Sequence, residues 1–374
     1  MSYHPRPSMV APRLGVVNGL RGVAILAVIW HHFGRVAPTW RAPVVAGWPL
    51  PWASFLTNGW LGVNLFFMLS GLVLYLPYAQ GTRTLEEPHA IRDFYRRRAQ
   101  RLLPLYYVSL VVVWIFLVHP TLDAGGLEEV GLATTLTFVF TKAHFAPRFN
   151  SSLWSLGIEV WVSVLFPVLI VGGKRLGARR LLLYVALLAL AVRCAGVAIP
   201  AFDRPHNPYL NPLKDSALGR LDDFVVGMVI AELVVARSWL EARRARWLAP
   251  LGLLALWTGC ALWDLRATGH LPKAVTPFLD IVVDAGLFAI TCAAIASRGL
   301  LHRLLSSGLL QVPGKMCYSL YVWQGIVLRA LIHPDYGLAD VALFVVFLAA
   351  LSATTYRYIE FRHERDWRAL FRGS

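Results

Sequence analysis

Arg21 and His32 stand eleven residues apart inside Asn18–Phe33, NGLRGVAILAVIWHHF. An imidazole whose ordinary pKa is near neutral can take a proton from a reacting group and return it. A guanidinium can hold an anion or steady a developing negative charge. The two can serve one ligand only if they share a face. The stretch is apolar almost throughout and has no turn signal after Gly22, so it reads as one helix. At 100° per residue, eleven residues make three turns plus roughly 20°, and at 1.5 Å rise they cover roughly 16 Å. His31 points about 80° away from Arg21 by the same arithmetic. Each residue alone has an ordinary explanation: Arg21 snorkels to the headgroups and His32 is a satisfied bundle histidine. The pair on one face is harder to explain in that way, because an arginine in a membrane helix costs at least about 2–3 kcal/mol.

Other residues could join such chemistry. Glu159 lies six residues into an apolar segment within Asn150–Pro167, NSSLWSLGIEVWVSVLFP, where a carboxylate needs a cation or hydrogen-bond partner. Trp154 and Ser155 come one turn earlier, where a tryptophan also serves as an ordinary interfacial anchor. Ser70 precedes Gly71 in Gly59–Tyr75, and small residues there let a second helix approach. A catalytic Ser70 would need a neighbouring base that the sequence does not supply. Arg98 and Arg101, in Phe94–Tyr107, share a helix face and form either a topological anchor or a site for a ligand with several phosphates. Pro104 begins or kinks the helix that follows. Tyr318, Ser319 and Tyr321 in Cys317–Gln324 line a polar route or bond across helices. Arg220, Asp222 and Asp223 form a local ion-pair cluster.

The elements that must position these groups are membrane helices. Of 374 residues, 57% are hydrophobic and only 15% charged, with 14 tryptophans, where soluble chains have about 25% charged. The expected fold is all-α and polytopic. Ten spans are expected, at roughly 14–34, 59–79, 102–118, 153–172, 181–199, 219–236, 247–264, 277–297, 316–333 and 338–357. Val130–Phe140 is too short to span, and Leu300–Val312 reads as a short surface helix. With the N-terminus cytoplasmic, 24 Lys and Arg fall on the inside and 9 on the outside. This positive-inside bias puts both termini in the cytoplasm. The net charge of +15 is spread between apolar segments and not gathered on a nucleic-acid-binding domain, so no nucleic acid is expected. Cys194, Cys260, Cys292 and Cys317 lie far apart in apolar surroundings and read as small buried hydrophobes, and no metal site is expected. The first apolar run carries Arg21 and no prompt cleavage site, so it reads as a retained span.

Taken together, these stretches resemble the membrane acyltransferase-3 family of sugar, lipopolysaccharide and macrolide O-acyltransferases. The matching pieces, in the family's order, are the Arg21 and His32 spacing, FFMLSGLVLY, RRAQRLLP, LWSLGIE, RLDDFVVGM, YSLYVWQ and YRYIE. The resemblance implies one transmembrane acyltransferase domain over 1–374, in the stand-alone form without an extracytoplasmic esterase-like domain, sited in the inner (plasma) membrane. It implies transfer of an acyl group, often acetyl, from acyl-CoA as co-substrate to a hydroxyl of a glycan, lipid-linked sugar or macrolide. His32 is then the catalytic histidine, Arg21 essential with it and Glu159 part of the polar interior. Arg98 and Arg101 lie on the CoA side, with Trp154, Ser155, Ser70 and Tyr321 near substrate and membrane lipids around the whole. Two positions depart from the family: Asn18, where aspartate is frequent, and Gln324, where histidine is common. The rival expectation is a transporter or flippase using Arg21, His32 and Glu159 as a polar pathway; the absence of visible inverted repeats counts against it.

Overall fold

The computed structural model describes residues 11–36, 44–45, 48–49, 53–117, 123–148, 150–203, 210–236, 242–296, 299–333 and 335–361. The terminal segments 1–10 and 362–374, which carry part of the charge count, lie outside the described residues. In chain order the α-helices are α1 (Ala11–Val36), α2 (Ala53–Thr57), α3 (Gly62–Ala79), α4 (Ala90–Phe116), α5 (Ala124–Thr135), α6 (Trp154–Leu176) and α7 (Ala178–Ala198). They continue as α8 (Leu221–Ala236), α9 (Ala242–Ala267), α10 (Thr276–Ala296), α11 (Leu300–Leu305), α12 (Gly308–Lys315), α13 (Cys317–Leu331) and α14 (Leu338–Thr355). The only strands among the described residues are a two-residue antiparallel ribbon, Val44–Val45 against Trp48–Pro49.

Among the described residues, eight helical segments are long and apolar enough to cross a membrane. The chain is a multi-pass, all-helical membrane protein, and its apolar belt agrees with this: Val168, Leu183 and Val346 are each more than half exposed, as lipid-facing side chains are. The expected sixth and ninth spans exist as α8 and α13, but with 16 and 15 residues they rise only about 24 and 22 Å. Each begins where what precedes it departs from the helix, and α13 also ends two residues early, at Leu331. The residues before α8 are spent on a buried, charged turn, with Lys214 and Asp215 at 1% and 0% exposure. The helix before α13 breaks at Met316 (φ −98°, ψ 22°), which separates α12 from α13. The third span starts earlier than expected, at Ala90, because the arginine-rich stretch is itself helical; Pro104 therefore lies inside α4 and does not begin it.

Leu300–Val312 is not one surface helix. It is α11 and α12, and α12 packs on α1. Gln311, 4% exposed, donates from Nε2 to the Gly15 and Leu305 carbonyls at 2.8 and 2.6 Å. The approach of α12 to α1 is a backbone contact. A Cβ on Gly314 would lie 1.7 Å from the Asn18 carbonyl oxygen. Helices α3 and α8 meet in the same way, since a Cβ on Gly71 would lie 1.9 Å from the Phe224 carbonyl oxygen. Gly71 thus takes the packing role expected of the Ser70-Gly71 pair, and the Ser70 side chain is left for a polar contact. Val130–Phe140 is the end of α5 and a 3₁₀ turn, with Leu136 left-handed between them (φ 56°). Of the four cysteines, Cys260, Cys292 and Cys317 are buried as expected, whereas Cys194 is exposed, because its side of α7 does not face the bundle.

Gly314→Ala and Gly71→Ala should each lower the midpoint of thermal unfolding of the detergent-solubilised protein, by about 1–3 kcal/mol of overpacking. Gly34→Ala, with nothing within 4 Å of the added Cβ, should leave it unchanged.

Candidate active site

Helix α1 carries Arg21 and His32 to two different pockets. At the His32 end is a cavity of about 1130 Å³, lined by His31, His32, Trp60, Ser152, Trp154 and Gly325 among others. At the Arg21 end is a narrow pocket of about 110 Å³. Arg21, Ser70, Arg98, Arg101, Ser155, Glu159 and Tyr321 all line the narrow pocket. Of the residues singled out in the sequence, only His32 and Trp154 therefore stand in the large cavity. Helices α13 and α6 wall both. Tyr318 and Tyr321 on α13 face the narrow pocket, and Gly325 and Arg329, one to two turns on, face the large one.

The narrow pocket is built from paired charges. Arg98 donates from Nη2 to Glu159 Oε1 at 2.8 Å and from Nε to Ser163 at 3.0 Å, and Ser70 donates to the same carboxylate oxygen at 3.0 Å. Glu159 thus partners Arg98 and Ser70, and neither Arg21 nor His32 is in hydrogen-bond contact with it. Arg101 pairs with Glu360 Oε2 at 2.7 Å, in the π-helical turn Tyr356–Glu360 that follows α14. Ser319 hydrogen-bonds the same carboxylate. Three guanidiniums thus face two carboxylates. The cation left over is Arg21, which has no ion-pair partner among the described residues although it lies in the field of Arg98, Arg101 and Glu159. A desolvated, unpaired guanidinium in a pocket is a standing site for an anion.

The wall between the pockets is a chain of hydroxyls. Tyr321 donates to the Ser152 carbonyl. Its single proton is then used, so Ser155 Oγ donates to the phenol oxygen, at 2.7 Å. Asn150 ties the start of α6 to α13 by donating from Nδ2 to the Val322 carbonyl at 2.9 Å. Trp154 stacks on Phe145, ring centroids 5.8 Å apart, which leaves it part of the cavity wall. Tyr318 donates to the Leu102 carbonyl, so of the two roles open to these tyrosines the cross-helix bond describes it better, while Tyr321 does both.

His32 Nδ1 lies 3.4 Å from Gln324 Oε1. With the carboxamide oxygen accepting, Nδ1 carries the proton and Nε2 is left basic. His31, which helical geometry turned away from Arg21, lines the same cavity as His32. Its Nδ1 donates to the Thr57 carbonyl at 3.1 Å, and its ring sits edge-on to His32 with centroids 5.6 Å apart. The periodicity missed it because the cavity is wide enough to face two sides of the helix. Among the described residues no group of three or more His, Cys, Asp or Glu could hold a metal.

Behind the large cavity the expected Arg220, Asp222 and Asp223 cluster is larger than the sequence indicated. Arg193 reaches Asp222 at 2.6 Å and the Gly219 carbonyl at 2.7 Å. Arg220 and Lys214 share Asp215 at 2.6 and 2.8 Å, and both approach Asp280. Arg193, Lys214, Asp215 and Asp280 were the missed members; a charged residue inside or beside an apolar run was the available signal.

A profile of the acyltransferase domain family matches residues 15–356, nearly the whole chain. The chain belongs to this acyltransferase family. Its curated relatives include the putative peptidoglycan O-acetyltransferase YrhL of Bacillus subtilis, 29% identical over 50% of this chain and 28% of its own. The exopolysaccharide production protein ExoZ of Rhizobium meliloti is 25% identical over 80% of this chain and 86% of its own. The acyltransferase MdmB of Streptomyces mycarofaciens is 27% identical over 85% of this chain and 79% of its own. The chain thus spans under a third of YrhL but most of ExoZ and MdmB. No solved structure matches it. The acyltransferase is an enzyme, and the rival transporter reading finds no counterpart among these relatives.

Arg193→Leu would strip Asp222 of its 2.6 Å partner. Breaking one side of a buried pair costs about 3–5 kcal/mol, and denaturant titration of the detergent-solubilised variant should register a loss of that order.

Proposed function

We propose that this acyltransferase moves an acetyl group from acetyl-CoA to a hydroxyl of a carbohydrate, glycolipid or polyketide acceptor, with His32 as general base. The observation that carries the proposal is the division of one helix face. Unpaired Arg21 lines a narrow pocket with Ser155 and Tyr321, and His32, held by Gln324, lines a wide one. A narrow pocket rich in arginine suits the thin, polyanionic donor. A cavity of about 1130 Å³ lies just above the roughly 300–1,000 Å³ usual for small-molecule sites and suits a bulky acceptor.

In this reading the donor's phosphates lie beside Arg98 and Arg101, Glu159 holds Arg98 in place, and Arg21 takes the negative charge that has no partner in the protein. Roughly 16 Å along the helix separates Arg21 from the imidazole, so Arg21 binds the donor and does not touch the reacting carbon. Ser70, Ser155 and Tyr321 offer hydroxyls along the thioester arm, and Trp154 offers a ring face to the acceptor. The acceptor hydroxyl gives its proton to His32 Nε2 as its oxygen attacks the thioester carbonyl carbon. Collapse of the tetrahedral species breaks the C–S bond, and the leaving thiolate takes the proton back from His32. Gln324 fixes the tautomer that leaves Nε2 basic, the task that the more usual histidine at this position would share. The positive-inside bias puts the Arg21 end and both termini in the cytoplasm and the wide cavity on the far side, in the inner membrane as a single acyltransferase domain.

The family match and the names of the relatives support acyl transfer to a hydroxyl. Purified protein should consume radiolabelled acetyl-CoA, slowly without acceptor. His32→Ala should lower this by about 10²–10⁴-fold while still binding acetyl-CoA, whereas Arg21→Ala should lose donor binding itself. Wild-type protein that neither binds nor consumes acetyl-CoA would sink the donor assignment. Gln324→Ala should reduce kcat about tenfold, a fraction of the general-base contribution, with KM for acetyl-CoA unchanged; a purely structural role would move both or neither.

A further inference from the structure

We infer that the wide cavity selects an acidic acceptor, one carrying a carboxylate or phosphate beside the hydroxyl that is acylated. The inference rests on the acyltransferase reading above and adds the chemical class of the acceptor.

Four cations line this cavity: Arg35, Lys142, Arg148 and Arg329. All four are exposed, and none has a carboxylate within ion-pair distance among the described residues. The two carboxylates that also line it are already engaged. Asp203 is paired with Lys273, and Asp215 is shared by Lys214 and Arg220 at 2.8 and 2.6 Å. The wall therefore presents four positive charges with nothing in the protein to neutralise them.

The positive-inside bias makes this notable. Only nine basic residues fall in the loops on the His32 side, where they are disfavoured. Three of the nine converge on the cavity, Arg35 from the last turn of α1 and Lys142 and Arg148 from the loop before α6, and Arg329 joins them from the end of α13. Arg329 is held there: Nη1 donates to the Arg148 carbonyl at 3.1 Å, which leaves its other nitrogens for a ligand. Like charges gathered at the mouth of a low-dielectric cleft focus the field on the ligand that enters. Guanidinium groups suit carboxylate and phosphate oxygens in particular. A neutral sugar would gain nothing from the arrangement, and a cationic one would be repelled.

Equilibrium binding to the purified full chain in neutral detergent tests this without turnover. The probes are trigalacturonic acid and N-acetylglucosamine 1-phosphate, with maltotriose and N-acetylglucosamine as neutral controls. An acidic probe should bind at least about tenfold more tightly than its neutral counterpart, and raised salt should erase most of the difference, because exposed charges are screened. Arg148→Gln with Arg329→Gln should cost about tenfold for the acidic probe. Arg148→Lys with Arg329→Lys should retain most of the affinity, and this pair reports even if the glutamine pair does not fold. Equal binding of acidic and neutral probes, no binding of either acidic probe, or full affinity in the glutamine pair would overturn the inference. So would displacement of the acidic probe by CoA, which would assign these cations to the donor. Consumption of acetyl-CoA by wild type, read separately, reports on the acyltransferase reading alone.

Discussion

Helix α1 holds a guanidinium and an imidazole on one face at a separation that the helix itself sets, roughly 16 Å. Everything else in the structure accommodates that rule. A cation at that depth cannot be left in lipid, so the Arg21 end must be enclosed by protein. Helices α3, α4, α6 and α13 enclose it and supply Ser70, Arg98, Arg101, Glu159 and Tyr321 to the pocket. The enclosure is held from behind by glycine contacts that bring α12 against α1 and α8 against α3 at backbone distance. Without that closeness, α1 would stand off from the short helices that fix its rotation, and the face bearing both groups would not be aimed.

The paired charges around Arg21 follow from the same need. Arg98 and Arg101 are each matched by a carboxylate from a different helix or turn, so each ion pair also fixes the spacing of two elements. Arg21 is the exception. On the proposed reading that cation is kept without an internal partner for the anionic donor. The four unmatched cations of the wide cavity obey the same logic at lower cost, since water reaches them.

Much of this was legible in the sequence and the remainder was hidden for identifiable reasons. The helices declare themselves by apolar length, and the Arg21 and His32 face follows from helical arithmetic alone. Glu159 and the Arg98/Arg101 face were visible as charges where charge is expensive. The pairings were not: Glu159 could have served Arg21 or His32, and only the packing of α4 on α6 gives it to Arg98. Glu360, the partner of Arg101, lies more than 250 residues away in a turn that no period announces. His31 was set aside by a rotation argument that holds for a flat interface and fails for a wide cavity. The two short helices nearly fill the expected 219–236 and 316–333: α8 begins two residues late, at Leu221, after the buried turn, while α13 begins at Cys317 and stops two residues early, at Leu331.

The shortness of α13 has an electrical consequence. Its residues Gly325, Leu328 and Arg329 form part of the wall of the wide cavity, whose cations are solvent-exposed. On the proposed reading, water in the wide cavity would leave less than the roughly 30 Å hydrocarbon slab between that cavity and the Arg21 pocket. A membrane potential would then fall over a shorter path, and each elementary charge carried across the whole of it is worth about 2.3 kcal/mol per 100 mV. Were His32 to carry the proposed proton transfer, that step would feel part of the potential.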